Sequence, residues 1–188
     1  AYSRVLLLMP DKAIVDALEK KVNRLTEKKP FLYVVAAAAT TLKDPDRAMQ
    51  CYQTLLNDEP GEAPAVLEKL REFLKTYPDY PEAQFIQSRA LLLTESYTES
   101  VAVLNRLLRL SPTLADRVKT ELYAIVKKMP KQLLALQSLA EIYLYQNNYD
   151  SALEYYNRLL DLLPEEETEA VVEKAREMLK INPQLIRA

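Results

Sequence analysis

The stretches YQTLLNDEP (52–60), LNRLLRLSP (104–112) and YNRLLDLLP (156–164) decide the reading of this chain: one nine-residue text, closed by proline, occurs three times at a spacing of 52 residues. Text that recurs at a fixed period is one supersecondary unit copied along the chain. A unit that cannot bury its own apolar face alone becomes stable by stacking on its copies, and the product is a solenoid with an extended surface. Such surfaces bind other proteins.

Working outward, the other prolines cut the chain into alternating short and long blocks. The short blocks are Pro10–Pro30, Pro60–Pro78, Pro112–Pro130 and Pro164–Pro183, and proline marks helix boundaries because it removes a backbone donor and clashes with the preceding turn. Each short block carries one amphipathic helix of period 3.6. Its apolar stripe is Ile14, Leu18, Val22 and Leu25 in the first and Leu114, Val118, Leu122, Ile125 and Met129 in the third. AVLEKLREFLKTYP (65–78) and AVVEKAREMLKINP (170–183) are near copies. Each long block carries two helices, broken at Asp44-Pro45-Asp46, at Glu95-Ser96-Tyr97 and at Asn147-Asn148-Tyr149-Asp150. Asp44 is placed to cap the following helix, with Pro45 preset for its first turn. The unit is therefore three helices. The chain is expected to be one solenoid segment over 1–188 with about 11 helices, in units at roughly 11–60, 61–112 and 113–164 with partial units at 1–10 and 165–188. Tyr2–Pro10 reads as a closing helix, and Pro183–Ala188 as the start of a next one.

Composition narrows the class. With 49% hydrophobic and 28% charged residues, the chain has the balance of a globular protein that buries an apolar core. Gly61 stands alone where average usage gives roughly 13 glycines, which leaves little freedom for positive-φ turns or phosphate-cradling loops. Helices joined by Pro, Asn and Asp remain. A net charge of −2 gives no global attraction to nucleic acid or to an anionic membrane. The longest strongly apolar run, Phe31–Ala39, falls well short of the ~20 residues that span a bilayer. Cys51 has no internal disulfide partner and sits in a helical pattern beside Met49 and Tyr52, as a buried thiol does. A cytoplasmic location fits the lone thiol, and a disulfide-free bacterial envelope protein fits it as well.

The third long block resembles a tetratricopeptide repeat. Leu136, Leu139, Ala140 and Tyr143 stand at the spacings of that family's W-x2-L-G-x2-Y stretch, and Ala152, Tyr156 and Pro164 at those of its A-x3-F and P. The first copy repeats this with Leu32, Ala36, Ala39, Ala48, Tyr52 and Pro60, and the second with Ser88, Leu91, Tyr97, Leu104 and Pro112. In the second copy Gln84 and Gln87 take the slots of Leu136 and Leu139, and Ser100 that of Ala152, which predicts a first helix that is rotated or more exposed. A plain array of this family repeats every ~34 residues, so each unit here holds one extra helix. The resemblance implies an all-α superhelix in which the first helix of each pair lines a concave face. Carried across by position, the partner-binding stripe is Tyr33, Ala37 and Thr40, then Phe85, Arg89 and Leu92, then Gln137, Glu141, Leu144 and Tyr145. Chaperone-binding members hold an acidic peptide terminus with Lys, Asn and Arg on these helices. Here Tyr33, Ala37 and Phe85 stand instead, so an apolar anchor is the expected ligand. The alternative is that the extra helix of each unit fills the concavity.

Other chemistry finds little footing. With no histidine, the commonest general base, the usual metal ligand and every Ser-His or Cys-His arrangement are excluded, and no catalytic residue, metal site or cofactor is assigned. Glu165, Glu166, Glu167 and Glu169 form the densest acidic cluster, expected at a helix start where negative charge offsets the dipole. Lys20, Lys21, Arg24, Lys28 and Lys29, and again Lys127, Lys128 and Lys131, are interleaved with acids such as Glu19 and Glu27 and read as solvated faces. Tyr52, Tyr143 and Tyr156 fall at core positions of the repeat. The expected function is a noncatalytic scaffold for a protein or peptide partner, with no nucleic acid and no membrane insertion. A homodimer through the array ends, a recruiting module of a larger protein, and an RNA-binding helical repeat are the alternatives.

Overall fold

The structure, a computed structural model, describes residues 11–22 and 28–181. The expected closing helix at Tyr2–Pro10, the stripe residue Leu25 and the charged residues Arg24 and Glu27, and the new start at Pro183–Ala188 lie outside them. Among the described residues the chain forms ten α-helices, three single-turn 3-10 helices and no strand. They divide into two compact units, one closing at Glu95 and the other opening at Ser96. The first holds α1 (Lys12–Val22), α2 (Lys29–Thr41), α3 (Pro45–Asp58), a 3-10 turn (Pro60–Glu62), α4 (Ala63–Thr76) and α5 (Pro81–Leu93). The second holds α6 (Tyr97–Leu110), a 3-10 turn (Pro112–Leu114), α7 (Ala115–Lys128), α8 (Leu133–Tyr145), α9 (Tyr149–Leu160), a 3-10 turn (Glu165–Glu167) and α10 (Glu169–Ile181).

The prolines end helices through the residue before them. Steric conflict with the pyrrolidine ring drives that residue out of the α region, and Glu59, Tyr77, Ser111 and Met129 all have φ between −127° and −143° with ψ between 69° and 78°. The joints inside each helix pair use a second device. Lys43, Glu95 and Asn147, each 52 residues from the next, have φ of 57°, 61° and 57°. Left-handed turns are therefore present without glycine, contrary to what the single Gly61 suggests. At the first joint the amide of Lys43 donates to the carbonyl of Thr40 at 3.2 Å and that of Asp44 to the carbonyl of Ala39 at 2.9 Å, the paired bonds of a Schellman motif. Asp44 then accepts from the amide of Arg47 at 3.3 Å, capping α3 as expected. Asn147 and Asn148 repeat this between α8 and α9.

Packing follows the repeat. In the first unit Leu32, Val35, Ala36 and Ala39 of α2 are buried with Ala48, Tyr52, Leu55 and Leu56 of α3, small residues standing where the two backbones approach. In the second, α8 packs most extensively on α9, with Leu136, Leu139, Ala140, Ala152 and Tyr156 buried. A large apolar side chain withdrawn from water contributes roughly 1.5–3 kcal/mol, so these seams carry much of the stability. On α1 the buried positions are Val15 and Val22, with Ile14 exposed and Leu18 half-buried, so the stripe is turned from the expected one. On α7 Val118, Leu122 and Ile125 are buried while Met129 lies exposed beyond the helix end. The first helix of the second pair is not more exposed than the others: in α5 Gln84 is 2% exposed, its amide donates to the carbonyl of Pro78 at 2.7 Å, and its own oxygen is buried without a partner. Cys51 is buried.

Candidate partner-binding surface

Helix α8 reads LLALQSLAEIYLY and is apolar except along one arc, where Gln137, Ser138 and Glu141 interrupt Leu134 and Tyr145. A helix of that kind is either enclosed or meets a partner. Six residues, Ala135, Leu136, Ser138, Leu139, Ala140 and Ile142, face the unit's core. The opposite arc stays in solvent, with Gln137 and Glu141 exposed, Leu134 44% exposed and Tyr145 74% exposed. Leu144 is half-buried between the two arcs.

The extra helix of this unit does not fill the exposed arc. α7 meets α8 along its other edge, where the hydroxyls of Tyr123 and Tyr143 hydrogen-bond to one another, Lys119 Nζ donates to Gln146 Oε1 at 3.0 Å, and Gln146 Nε2 donates to Asp116 Oδ1 at 3.0 Å. The Tyr143 ring stacks on Tyr155 of α9 at 5.9 Å. Tyr143 is thus half-buried rather than fully enclosed like Tyr52 and Tyr156. Burial pushes its hydroxyl pKa up to about 12, helped by Tyr123.

Beside the open arc, α6 runs parallel to α8. Gln132 Nε2 donates to Thr98 Oγ1 at 3.0 Å, and Ser138 Oγ meets Asn105 Oδ1 at 2.7 Å. Further along, the two helices and the start of α7 enclose a notch of about 230 Å³ lined by Leu108, Arg109, Pro112, Ala115, Glu141, Ile142 and Tyr145. Its floor is apolar and its rim carries one cation, one carboxylate and the Tyr145 ring. Glu141 Oε1 accepts from Gln137 Nε2 at 2.9 Å, so three of the four α8 residues on the expected stripe share one surface.

The equivalent positions of the first unit are closed. Tyr33 donates its hydroxyl to Glu62 Oε2 at 2.9 Å, and burial first, then this carboxylate, hold the phenol well above its ordinary range. Lys29 pairs with the same carboxylate and is the main cause of its lowered pKa. Ala37 is half-buried, and Thr40 donates to the carbonyl of Ala36 at 2.9 Å. Phe85 is 6% exposed, so its ring is packed rather than offered to a ligand. Arg89 Nη2 donates to Asn57 Oδ1 at 3.3 Å, and Leu92 is half-buried. Position 89 corresponds to Glu141 and position 57 to Arg109, 52 residues on. A side-chain bridge thus occupies in one unit the place where the other has its notch.

Sequence reasoning missed Leu108, Arg109, Pro112, Ala115, Ile142 and the exposed Leu134. The available signal was in α8, whose apolar residues outnumber what one face can hold. Elsewhere Glu165, Glu166 and Glu167 form a 3-10 turn that precedes α10, so only Glu169 stands in the helix's first turn. Lys28 and Lys29 pair with Asp58 at 3.8 Å and with Glu62. No helix among the described residues is long and apolar enough to cross a membrane.

Residues 61–115 match the tetratricopeptide repeat, and residues 134–166 match it again. Among curated proteins none matches the chain.

Proposed function

Since the chain is a tetratricopeptide repeat protein, a family of protein-interaction modules, we propose that it is a noncatalytic scaffold that holds a protein partner on the α6–α8 face. The observation that carries this reading is the outward arc of α8: Leu134 and Tyr145 remain exposed beside an apolar notch, while the corresponding face of the first unit is closed by Arg89 and Asn57. Binding energy concentrates where an aromatic or aliphatic anchor fills a pocket inside a polar rim. Here Arg109, Glu141 and Gln137 supply the rim, and an extended or helical peptide with one apolar side chain suits the notch. Pairing of the chain with itself through an array end belongs to the same reading.

The test is capture on the immobilised chain, comparing wild type with Tyr145→Ala and with Leu134→Glu. Tyr145 is 74% and Leu134 44% exposed and neither belongs to the buried core, so helicity is expected to hold. A hot-spot loss of about 2 kcal/mol or more weakens a captured partner by roughly 30-fold. Equal capture by wild type and both variants would remove the α6–α8 face from consideration.

A further inference from the structure

We propose that the partner held on the α6–α8 face is a helical segment whose apolar anchor is flanked by one acidic and one basic residue, an inference that rests on the reading above and narrows it. The first unit shows how the same scaffold behaves when the gap is closed. There Arg89 of α5 donates to Asn57 of α3 at 3.3 Å, so the two side chains meet across it. In the second unit the same positions carry Glu141 and Arg109, a pair of opposite charge that could close in the same way. They do not meet. Glu141 turns along its own helix to Gln137, and Arg109, in the last turn of α6, has no hydrogen-bond or ion-pair partner among the described residues. Both line the notch, from different helices. A guanidinium and a carboxylate held apart over an apolar floor select a guest that brings the opposite charge to each. The elements that form the notch, α6, α7 and α8, have described helices before and after them in the chain, so its openness belongs to the fold.

The two walls favour a helix over an extended strand. α6 and α8 run parallel and leave a straight groove between them. In a strand the neighbours of an inward side chain point away from the surface. On a helix the residues before and after the anchor are turned about 100° to either side of it, one toward α6 and the other toward α8. With the anchor over Leu108, Pro112, Ala115 and Ile142, an acid on one flank faces Arg109 and a base on the other faces Glu141. Asp116 and Lys119, at the nearby start of α7, already pair with each other at 2.9 Å. Reversing the direction of the guest helix exchanges its flanks, so the requirement is one charge of each sign, in either order. Both rim groups are exposed, so they set the choice among partners more than the strength of binding, which the anchor and the Tyr145 ring supply.

Fluorescence anisotropy of the full chain with four labelled alanine-based helical peptides decides this. Each carries a central Leu, flanked by Asp and Lys, by Lys and Asp, by two Asp or by two Lys. Wild type is expected to bind the two mixed peptides about 5-fold or more tightly than the like-charged ones, with the difference shrinking as salt is added. Arg109→Glu moves the preference to the peptide with two Lys, Glu141→Arg moves it to the one with two Asp, and the two changes together return it to the mixed pair. Neither position belongs to the buried core, so the variants are expected to keep their helicity. Equal binding of all four peptides by wild type, binding of none, or a preference that the single variants leave in place overturns the proposal. Tyr145→Ala keeps the two readings apart: if it weakens all four peptides while wild type binds them equally, the face stands and the charge requirement falls.

Discussion

Three residues carry the helix joints in a conformation that side chains resist. Lys43, Glu95 and Asn147 all have positive φ, and a β-carbon there costs of order 1 kcal/mol, less for asparagine, whose short amide tolerates the left-handed region. Lys43→Gly and Glu95→Gly are therefore expected to raise stability by up to about 1 kcal/mol each, with Asn147→Gly close to neutral. Thermal melting of the three variants gives the order, and an Asn147 gain above the other two would contradict it. Gly61 is the reverse case. Its φ is not positive and a β-carbon built on it meets nothing within 4 Å, so the glycine loosens the unfolded chain without serving the folded one. Gly61→Ala is expected to stabilise by about 0.4–1 kcal/mol, read as a rise in the urea midpoint at unchanged slope.

Helix boundaries were largely legible because proline and its predecessor act through local sterics, which one sequence displays in full. Asp44 was legible for the same reason, and Asp44→Ala is expected to cost about 1 kcal/mol, measured by denaturant unfolding. Side-chain exposure was less legible. Gln84 reads as a surface residue, yet the helix keeps the register of Leu32 and Leu136, and the side chain is buried with one half of its amide satisfied. Gln84→Leu is expected to stabilise by about 1 kcal/mol through removal of the orphaned oxygen, and a loss in the same unfolding experiment would mean that the bond to Pro78 outweighs it. Phe85 shows the same limit from the other side: its place on the expected stripe came from the family resemblance, and its burial depends on neighbours that the resemblance does not supply. The notch beside α8 escaped for that reason too, since Leu108 and Pro112 reach it from a helix end and a 3-10 turn outside the stripe.

Across the whole molecule, the lack of histidine leaves few groups to titrate between the carboxylates and the thiol, so stability is expected to stay nearly flat from about pH 6 to 8. On the alkaline side burial pushes Cys51 from 9.0 up to about 12 and Tyr52 and Tyr156 from 10.0 up to about 12. A folded pKa above the unfolded one means stability fully present below the unfolded value and lost as pH rises toward the folded one. Cys51 alone gives a slope of about 1.4 kcal/mol per pH unit across that window, and Cys51→Ala is expected to flatten it in urea titrations between pH 9 and 12. On the acid side Glu62, Glu72 and Asp116 are held below their ordinary values by Lys29, Lys75 and Lys119, so their contribution is present above that range and is lost as pH falls through it. Asp44 and Asn148 have a consequence of another kind. Each closes one helix and opens the next with the same residue, so the joint has no slack, and one inserted or deleted amino acid would rotate everything downstream by about 100°. Length can then change at these corners only by whole helices, and tolerated insertions should collect instead at the 3-10 corners around Gly61 and Thr113.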